Sequence, residues 1–263
     1  MTDTTKSNDN SVILDGWEKS RFVAAGFERD VYRRGTGPGV VIIHEIPGIT
    51  PKVIEFANEL VTAGFTVVMP SLVGEPGRDV SNAYVMQSMA KVCVAREFSN
   101  MALNQMSPII AFLRALARNL HNDVGGPGVG ALGMCFSGGF ALGMMVDDIM
   151  IAPVLSQPSL PFVLGIGNKK AAARASDVNL SPDDALTVAR RAAEGCQVLG
   201  LRYAGDALVG NRFETLRTLL GDAFIAVELP STTKRDHSVL TEQRDEPSVQ
   251  RVLEFFKEKL QST

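Results

Sequence analysis

Apolar residues along this chain change period again and again, and each change marks an element. "SRFVAAGFERDVYRRG" nearly alternates, which predicts two short antiparallel strands with a turn near Gly26. "GTGPGVVIIHEIPGITP" then runs from a Gly/Pro turn into continuous apolar sequence, Val40 to Ile43, as a strand buried on both faces does. "PKVIEFANELVTAG" reads as a helix with Thr50 as N-cap, Pro51 in first position and Gly64 at its close. Its residues Val53, Ile54, Ala57, Leu60 and Val61 keep helical spacing.

The alternation continues. "FTVVMP" is another buried strand, and "GEPGRD" opens a loop from Gly74 to Arg96. From Ser99 to Leu120 the pattern is helical, with Pro108 as a kink or boundary. "VGALGM" predicts a strand, "SGGFALGMMV" a helix behind it, and "IMIAPVLSQPSLPF" holds a further strand. "LSPDDALTVARRAAEGC" is a helix by its ends: Ser181 caps, Pro182 starts, Asp183 and Asp184 face the positive pole, and Arg190 and Arg191 the negative one. "CQVLGLRYAGD" and "AFIAVELP" predict strands, "NRFETLRTLLG" a helix between them, and "PSVQRVLEFFKEKL" a last helix capped near Ser248.

Strands alternating with helices imply an α/β fold, a mostly parallel central sheet with helices on both faces. Right-handed crossovers follow from the twist of the strands. With no internal repeat and no low-complexity linker, residues 13–263 read as a single domain behind a flexible polar tail, residues 1–12.

Composition narrows the class. The chain has 263 residues, 45% of them hydrophobic and 21% charged, enough apolar material for a sizeable core. A net charge of -3 offers no basic field for nucleic acid or an anionic membrane. The N-terminal segment lacks the basic and apolar regions of a secretory signal, and no apolar run approaches the ~20 residues of a membrane helix. These features predict a cytoplasmic protein, a monomer or small homo-oligomer acting on a small molecule. Three cysteines, Cys93, Cys135 and Cys196, are too widely spaced for a disulfide framework or a metal knuckle, so no metal or cofactor is expected.

Functional groups in such a sheet gather beyond the carboxyl ends of its strands. Glu45 in "HEIPG", Cys135 in "GMCFSGG", Asp206 in "RYAGD" and His237 in "KRDHSVL" fall there. Nucleophile, acid and histidine follow the order of α/β-hydrolases. "GMCFSGG" can be read in two frames. A nucleophile elbow needs a strand that ends just before the reactive residue, with small residues two before and two after it. Cys135 meets this with Gly133 and Ser137 as flanks; Ser137 as nucleophile would extend the strand through Phe136 and make a cysteine one flank. Alone, the segment also fits a glycine-rich packing turn with an inert buried thiol. A thiol becomes a good nucleophile only as thiolate, so it needs a base, for which His237 is the candidate, with Asp206 orienting the imidazole. Of the other histidines, His121 reads as a solvated helix-end residue, and His44 lies before Glu45 with its side chain on the opposite face of the strand.

With these residues in place the chain resembles the dienelactone hydrolase family, cysteine-dependent enzymes of the α/β-hydrolase fold. The likeness rests on "HEIPGIT", "GMCFSGGFAL", "YAGD" and "HSVLT" in that order. It implies attack by Cys135 on an ester or lactone carbonyl, proton transfer by His237 and orientation by Asp206. It also implies an oxyanion hole of the backbone N–H groups of Ile46 and Phe136, and a role for Glu45 in substrate-triggered deprotonation of the thiol. In the best-known lactonases of the family, arginines hold the substrate carboxylate, one of them shortly after the histidine. Here Thr241 stands four residues after His237 and the nearest following arginine is Arg244, leaving Arg78 and Arg96 as candidates for positive charge. The expectation is a hydrolase of a small ester or lactone. The alternatives are a serine esterase using Ser137 and a non-catalytic scaffold of the same fold. The loop from Gly74 to Arg96 and the segment from Gly165 to Ser181 are where substrate selection is expected to lie.

Overall fold

A computed structural model describes residues 14–98, 103–162, 168–233 and 235–261. The expected tail, residues 1–12, lies outside them. Strands β1 (Glu18–Ala24) and β2 (Phe27–Arg34) pair antiparallel across a turn at Ala25 and Gly26. β3 (Gly39–Ile43) leads to α1 (Pro51–Thr62), where the Thr50 side chain accepts from the Val53 N–H as the expected cap. After β4 (Thr66–Pro70) come α2 (Asn82–Val94), a 3-10 turn at Arg96–Phe98 and α3 (Ile109–Val124). β5 (Val129–Met134) passes through a single 3-10 turn, Cys135–Ser137, into the short α4 (Phe140–Met144). The rest follows as β6 (Met150–Ser156), α5 (Asn168–Ser176), α6 (Pro182–Ala193), β7 (Val198–Tyr203), α7 (Arg212–Leu220), β8 (Phe224–Leu229) and α8 (Glu246–Leu260).

One sheet of order β1-β2-β4-β3-β5-β6-β7-β8 results, antiparallel at the β1 and β2 edge and parallel from β4 through β8. Its two faces bury different residues of the same strand. Val41 and Ile43 of β3 belong to the apolar cluster that includes α3, α4 and α7, whereas Val40 and Ile42 belong to the one that includes α1 and α8. All four are inaccessible to water, so the continuous apolar run in the sequence reflects burial on both sides. At about 1.5–3 kcal/mol for each fully buried aliphatic side chain, such runs hold the centre of the sheet rigid beneath the loops at its edge. No helix among the described residues is long and apolar enough to cross a membrane.

Three local expectations are corrected. The segment from Gly74 to Arg96 is not all loop, because residues 82–94 form α2, capped by the Ser81 hydroxyl accepting from Tyr84 N–H. Its buried side is only Tyr84, Ser88 and Val92, and Met86 and Val94 face solvent, so the hydropathy pattern conceals the helix. Of the helix expected from Ser99, residues 99–102 lie outside the described residues, residues 103–108 are not helical, and α3 starts at Ile109 with Pro108 as its boundary. Before it, Ser107 is tied sideways, donating from its N–H and hydroxyl to Asn179 Oδ1. In the segment from Gly165 to Ser181, residues 165–167 lie outside the described residues and Asn168–Ser176 form α5, a polar helix. Finally, α8 is capped by Asp245, which accepts from Ser248 N–H and Oγ; Ser248 is inside the helix.

Candidate active site

Because β3 and β5 through β8 run parallel, their carboxyl ends share one edge of the sheet. Neighbouring registers, Ile43 with Gly133, Met134 with Ser156 and Tyr203 with Leu229, bring the following loops side by side. Cys135 is the first residue beyond β5, with φ of 56° in the left-handed region. A non-glycine residue held there costs about 1–2 kcal/mol, which the surrounding packing must supply. The turn closes so tightly that a Cβ on Gly133 would meet the Ser137 carbonyl oxygen at 2.1 Å, and one on Gly138 would meet Pro158 Cα at 2.5 Å.

Ser137 plays a different part from Cys135. Its fully buried hydroxyl faces the carbonyls of Ile43 (2.7 Å), Met134 (3.0 Å) and His44 (3.1 Å) and accepts from Met134 N–H at 3.0 Å. It ties the turn after β5 to the end of β3. Backbone groups thus engage the hydroxyl both as donor and as acceptor.

His237 and Asp206 meet across two loops, with Nδ1 2.6 Å from Oδ2. The loops are fastened to each other: Ala204 N–H donates to the Leu229 carbonyl (2.8 Å) and Gly205 N–H to Ser231 Oγ (2.7 Å). Asp206 Oδ1 accepts from Leu208 N–H (2.9 Å), leaving Oδ2 for the imidazole. Asp236, next to the histidine, gathers the N–H and hydroxyl groups of Thr232 and Thr233, and those bonds bring its carboxyl down to about 2. His237 Nε2 is buried and completes no hydrogen bond among the described residues. Burial works to lower the His237 pKa, but the neighbouring Cys135, followed by the bond to Asp206, outweighs it and holds the pKa well above 6.5. Asp206, His237 and Cys135 are therefore together.

Glu45 is close to them but does not bond to the thiol. Its Oε2 accepts from Ser238 Oγ (2.8 Å) and Gln157 Nε2 (3.2 Å), and Oε1 from the Thr241 hydroxyl. Burial pushes its pKa up, and the hydroxyl donors and the nearby His237 offset this only in part. The carboxyl therefore sits among neutral donors. Gln157, Ser238 and Thr241 were missed as site residues by sequence reasoning. The one available signal was position, since Gln157 directly follows β6 just as Cys135 follows β5. Gln157 is also fully buried with φ of 35°.

His44 is not in contact with the thiol. Its Nδ1 donates to the Glu45 carbonyl (2.8 Å) and its Nε2 accepts from the N–H of Leu72 (3.0 Å) and Val73 (3.4 Å). Burial lowers its pKa to about 4, so the ring is neutral in ordinary buffers. His121 is half-buried in the last turn of α3 rather than solvated. Neither candidate arginine is brought to the cysteine by a hydrogen bond or ion pair. Arg78 pairs with Glu75 (3.2 Å) and lies over the Tyr84 ring, Arg96 is exposed on the 3-10 turn, and Arg244 is taken by Glu59 and Glu246.

Sheet order and loop placement define the α/β-hydrolase fold. Residues 29–156, just under half of the chain, match the model of the dienelactone hydrolase family. The fold is shared with a dienelactone hydrolase from Anabaena variabilis (15% identity, TM-score 0.59, 93% of this chain and 99% of that one). It is shared as well with an esterase from Pyrococcus furiosus (12%, 0.58, 95% of each chain). An α/β serine hydrolase from Xanthomonas campestris is also similar (14%, 0.52, 95% and 97%). No curated protein sequence matches the chain.

Proposed function

We propose that this protein, working as one domain over residues 13–263, hydrolyses a small, uncharged carboxylic ester or lactone through Cys135, His237 and Asp206. The observation that carries the proposal is the alignment of groups around one imidazole. His237 gives Nδ1 to Asp206 at 2.6 Å, and its buried, unbonded Nε2 lies within electrostatic reach of a cysteine held at positive φ on a strand-to-helix elbow.

The chemistry follows from those groups. The Cys135 thiolate forms a bond to the carbonyl carbon, and the π electron pair moves onto oxygen. Backbone N–H groups of Ile46 and Phe136 receive that charge; a single such donor contributes on the order of 3 kcal/mol. Collapse of the intermediate expels the alcohol oxygen, which takes the proton from His237 Nε2. Water then attacks the thioester, giving its proton to His237, and the thiolate leaves. Asp206 orients the ring and balances its positive charge throughout. Glu45, its pKa raised by burial, is the second proton-holding group beside the imidazole.

The uncharged substrate is supported by the surroundings of Glu45. Thr241, four residues after His237, donates a hydroxyl to it, and Arg78 and Arg244 are committed to carboxylates elsewhere. The test is hydrolysis of a chromogenic acetate ester by wild type, Cys135→Ala, Ser137→Ala and His237→Ala, with iodoacetamide labelling in parallel. Loss of turnover and labelling in Cys135→Ala supports the proposal. Full activity in that variant with loss in Ser137→Ala returns the serine reading, and no turnover of any ester or lactone by wild type returns the scaffold.

A further inference from the structure

We propose that His44 is a positioning residue that sets the direction of the Ile46 N–H and thereby forms one half of the oxyanion hole. The inference rests on the hydrolase reading above and deepens it. A peptide unit is planar, and in the trans form its C=O and the following N–H point in opposite directions. The Glu45–Ile46 peptide is trans, since the cis bonds of the chain are at Ile46–Pro47 and Leu160–Pro161. His44 Nδ1–H holds the Glu45 carbonyl at 2.8 Å. Fixing that oxygen fixes the plane, and with it the heading of the Ile46 N–H on the far side.

The ring is itself fixed from behind. Nε2 must be the acceptor, because Leu72 and Val73 offer it only N–H groups, so Nδ1 must carry the proton that goes to Glu45. A pKa near 4 keeps this tautomer neutral where the enzyme would work. The same ring packs on Phe136, the residue of the other oxyanion donor, with centroids 5.9 Å apart. Ser137 Oγ joins the elbow to the Ile43 and His44 carbonyls, so the two donors are referenced to one short stretch of backbone. A free peptide could rotate and present its carbonyl to the developing negative charge, which would repel it. His44 removes that alternative.

Two substitutions separate positioning from simple tethering. His44→Asn keeps an N–H near the place of Nδ1 but loses the acceptor for Leu72. His44→Gln reaches toward the place of Nε2, so it retains an acceptor for Leu72 but lacks the donor to Glu45. The readouts are kcat for a chromogenic acetate ester and the second-order rate of Cys135 alkylation by iodoacetamide, a displacement that needs no oxyanion hole. The expected result is a fall in kcat of about a hundredfold for His44→Gln and about threefold or less for His44→Asn, with alkylation within about twofold of wild type in both. The reverse ranking, or alkylation falling in step with turnover, overturns the inference and leaves the hydrolase reading intact. If His44→Gln does not fold, His44→Asn decides alone, and a fall in its kcat beyond about tenfold overturns the inference. Absence of turnover in wild type sinks the hydrolase reading and this inference together.

Discussion

Asp206 Oδ2 and His237 Nδ1 lie 2.6 Å apart although 31 positions separate them in the chain, and the carboxylate side chain is almost wholly shielded from water. The bond leaves only Nε2 of the imidazole free to act. It also stabilises the charged ring, since removing the carboxylate removes one of the influences that raise its pKa.

Asp206→Asn should therefore lower ester turnover by at least about a hundredfold and move the alkaline limb of the pH profile to lower pH. The sign follows from the raised folded pKa: the imidazolium persists above 6.5 in wild type, and without Asp206 it is lost sooner as pH rises. For the same reason the stabilisation from this pair is complete below 6.5 and disappears as pH climbs through the raised value. A pH profile of kcat/KM for the variant that matches wild type would refute this.

Ser137→Ala should behave as a structural lesion. Losing the buried hydroxyl strands Met134 N–H and the Ile43 carbonyl, a cost of about 1–3 kcal/mol by denaturant melting. Cys135 should still be alkylated by iodoacetamide, whereas Cys135→Ser keeps the fold and loses that reaction.

His44 predicts an acid limb of stability. Its folded pKa of about 4 lies below the ordinary 6.5, so the unfolded chain binds the proton more readily and stability falls as pH drops from 6.5 toward 4. The full loss is on the order of 3 kcal/mol. Thermal melts across that window should show a steeper decline in wild type than in His44→Asn.

Glu45→Gln should raise the melting temperature at neutral pH. The pKa of Glu45 is raised by burial, so the fold favours its protonated form; the wild-type penalty develops as pH rises past 4.5, and the neutral amide escapes it. Melts of both proteins at pH 4 and pH 8 test this, and an equal or larger advantage of the variant at pH 4 would contradict it.

Arg212 joins the loops around the site. It is completely buried and donates to the carbonyls of Leu160, Pro161, Arg174, Asp177, Leu208 and Val209, at 2.7 to 3.1 Å. Burial brings even its guanidinium down to about 10. Arg212→Lys cannot fan across these acceptors, and at about 1–3 kcal/mol for each carbonyl left unpaired it should destabilise by several kcal/mol. Because Leu208 follows Asp206 closely, turnover should fall with stability in calorimetry and ester assays of the same preparation.

The order and type of the main elements were legible in the sequence because β3, β5 and β7 are buried on both faces and α1 and α6 carry caps and Pro at their first turns. Cys135 in its elbow was legible too, since the turn admits only small flanks and the Gly133 position leaves no room for a side chain. What the sequence could not decide was anything set by contacts between distant segments. α2 was hidden because its buried side includes a serine and its exposed side carries Met86 and Val94. The neutral clamp on Glu45 draws on Gln157, Ser238 and Thr241, two loops more than a hundred positions from the carboxylate. Ser137 as strut and His44 as peptide anchor likewise depend on which backbone groups face them. Local patterning records which residues are buried, but a hydrogen bond between distant residues leaves no period in a sequence, and only the folded chain pairs its donors with their acceptors.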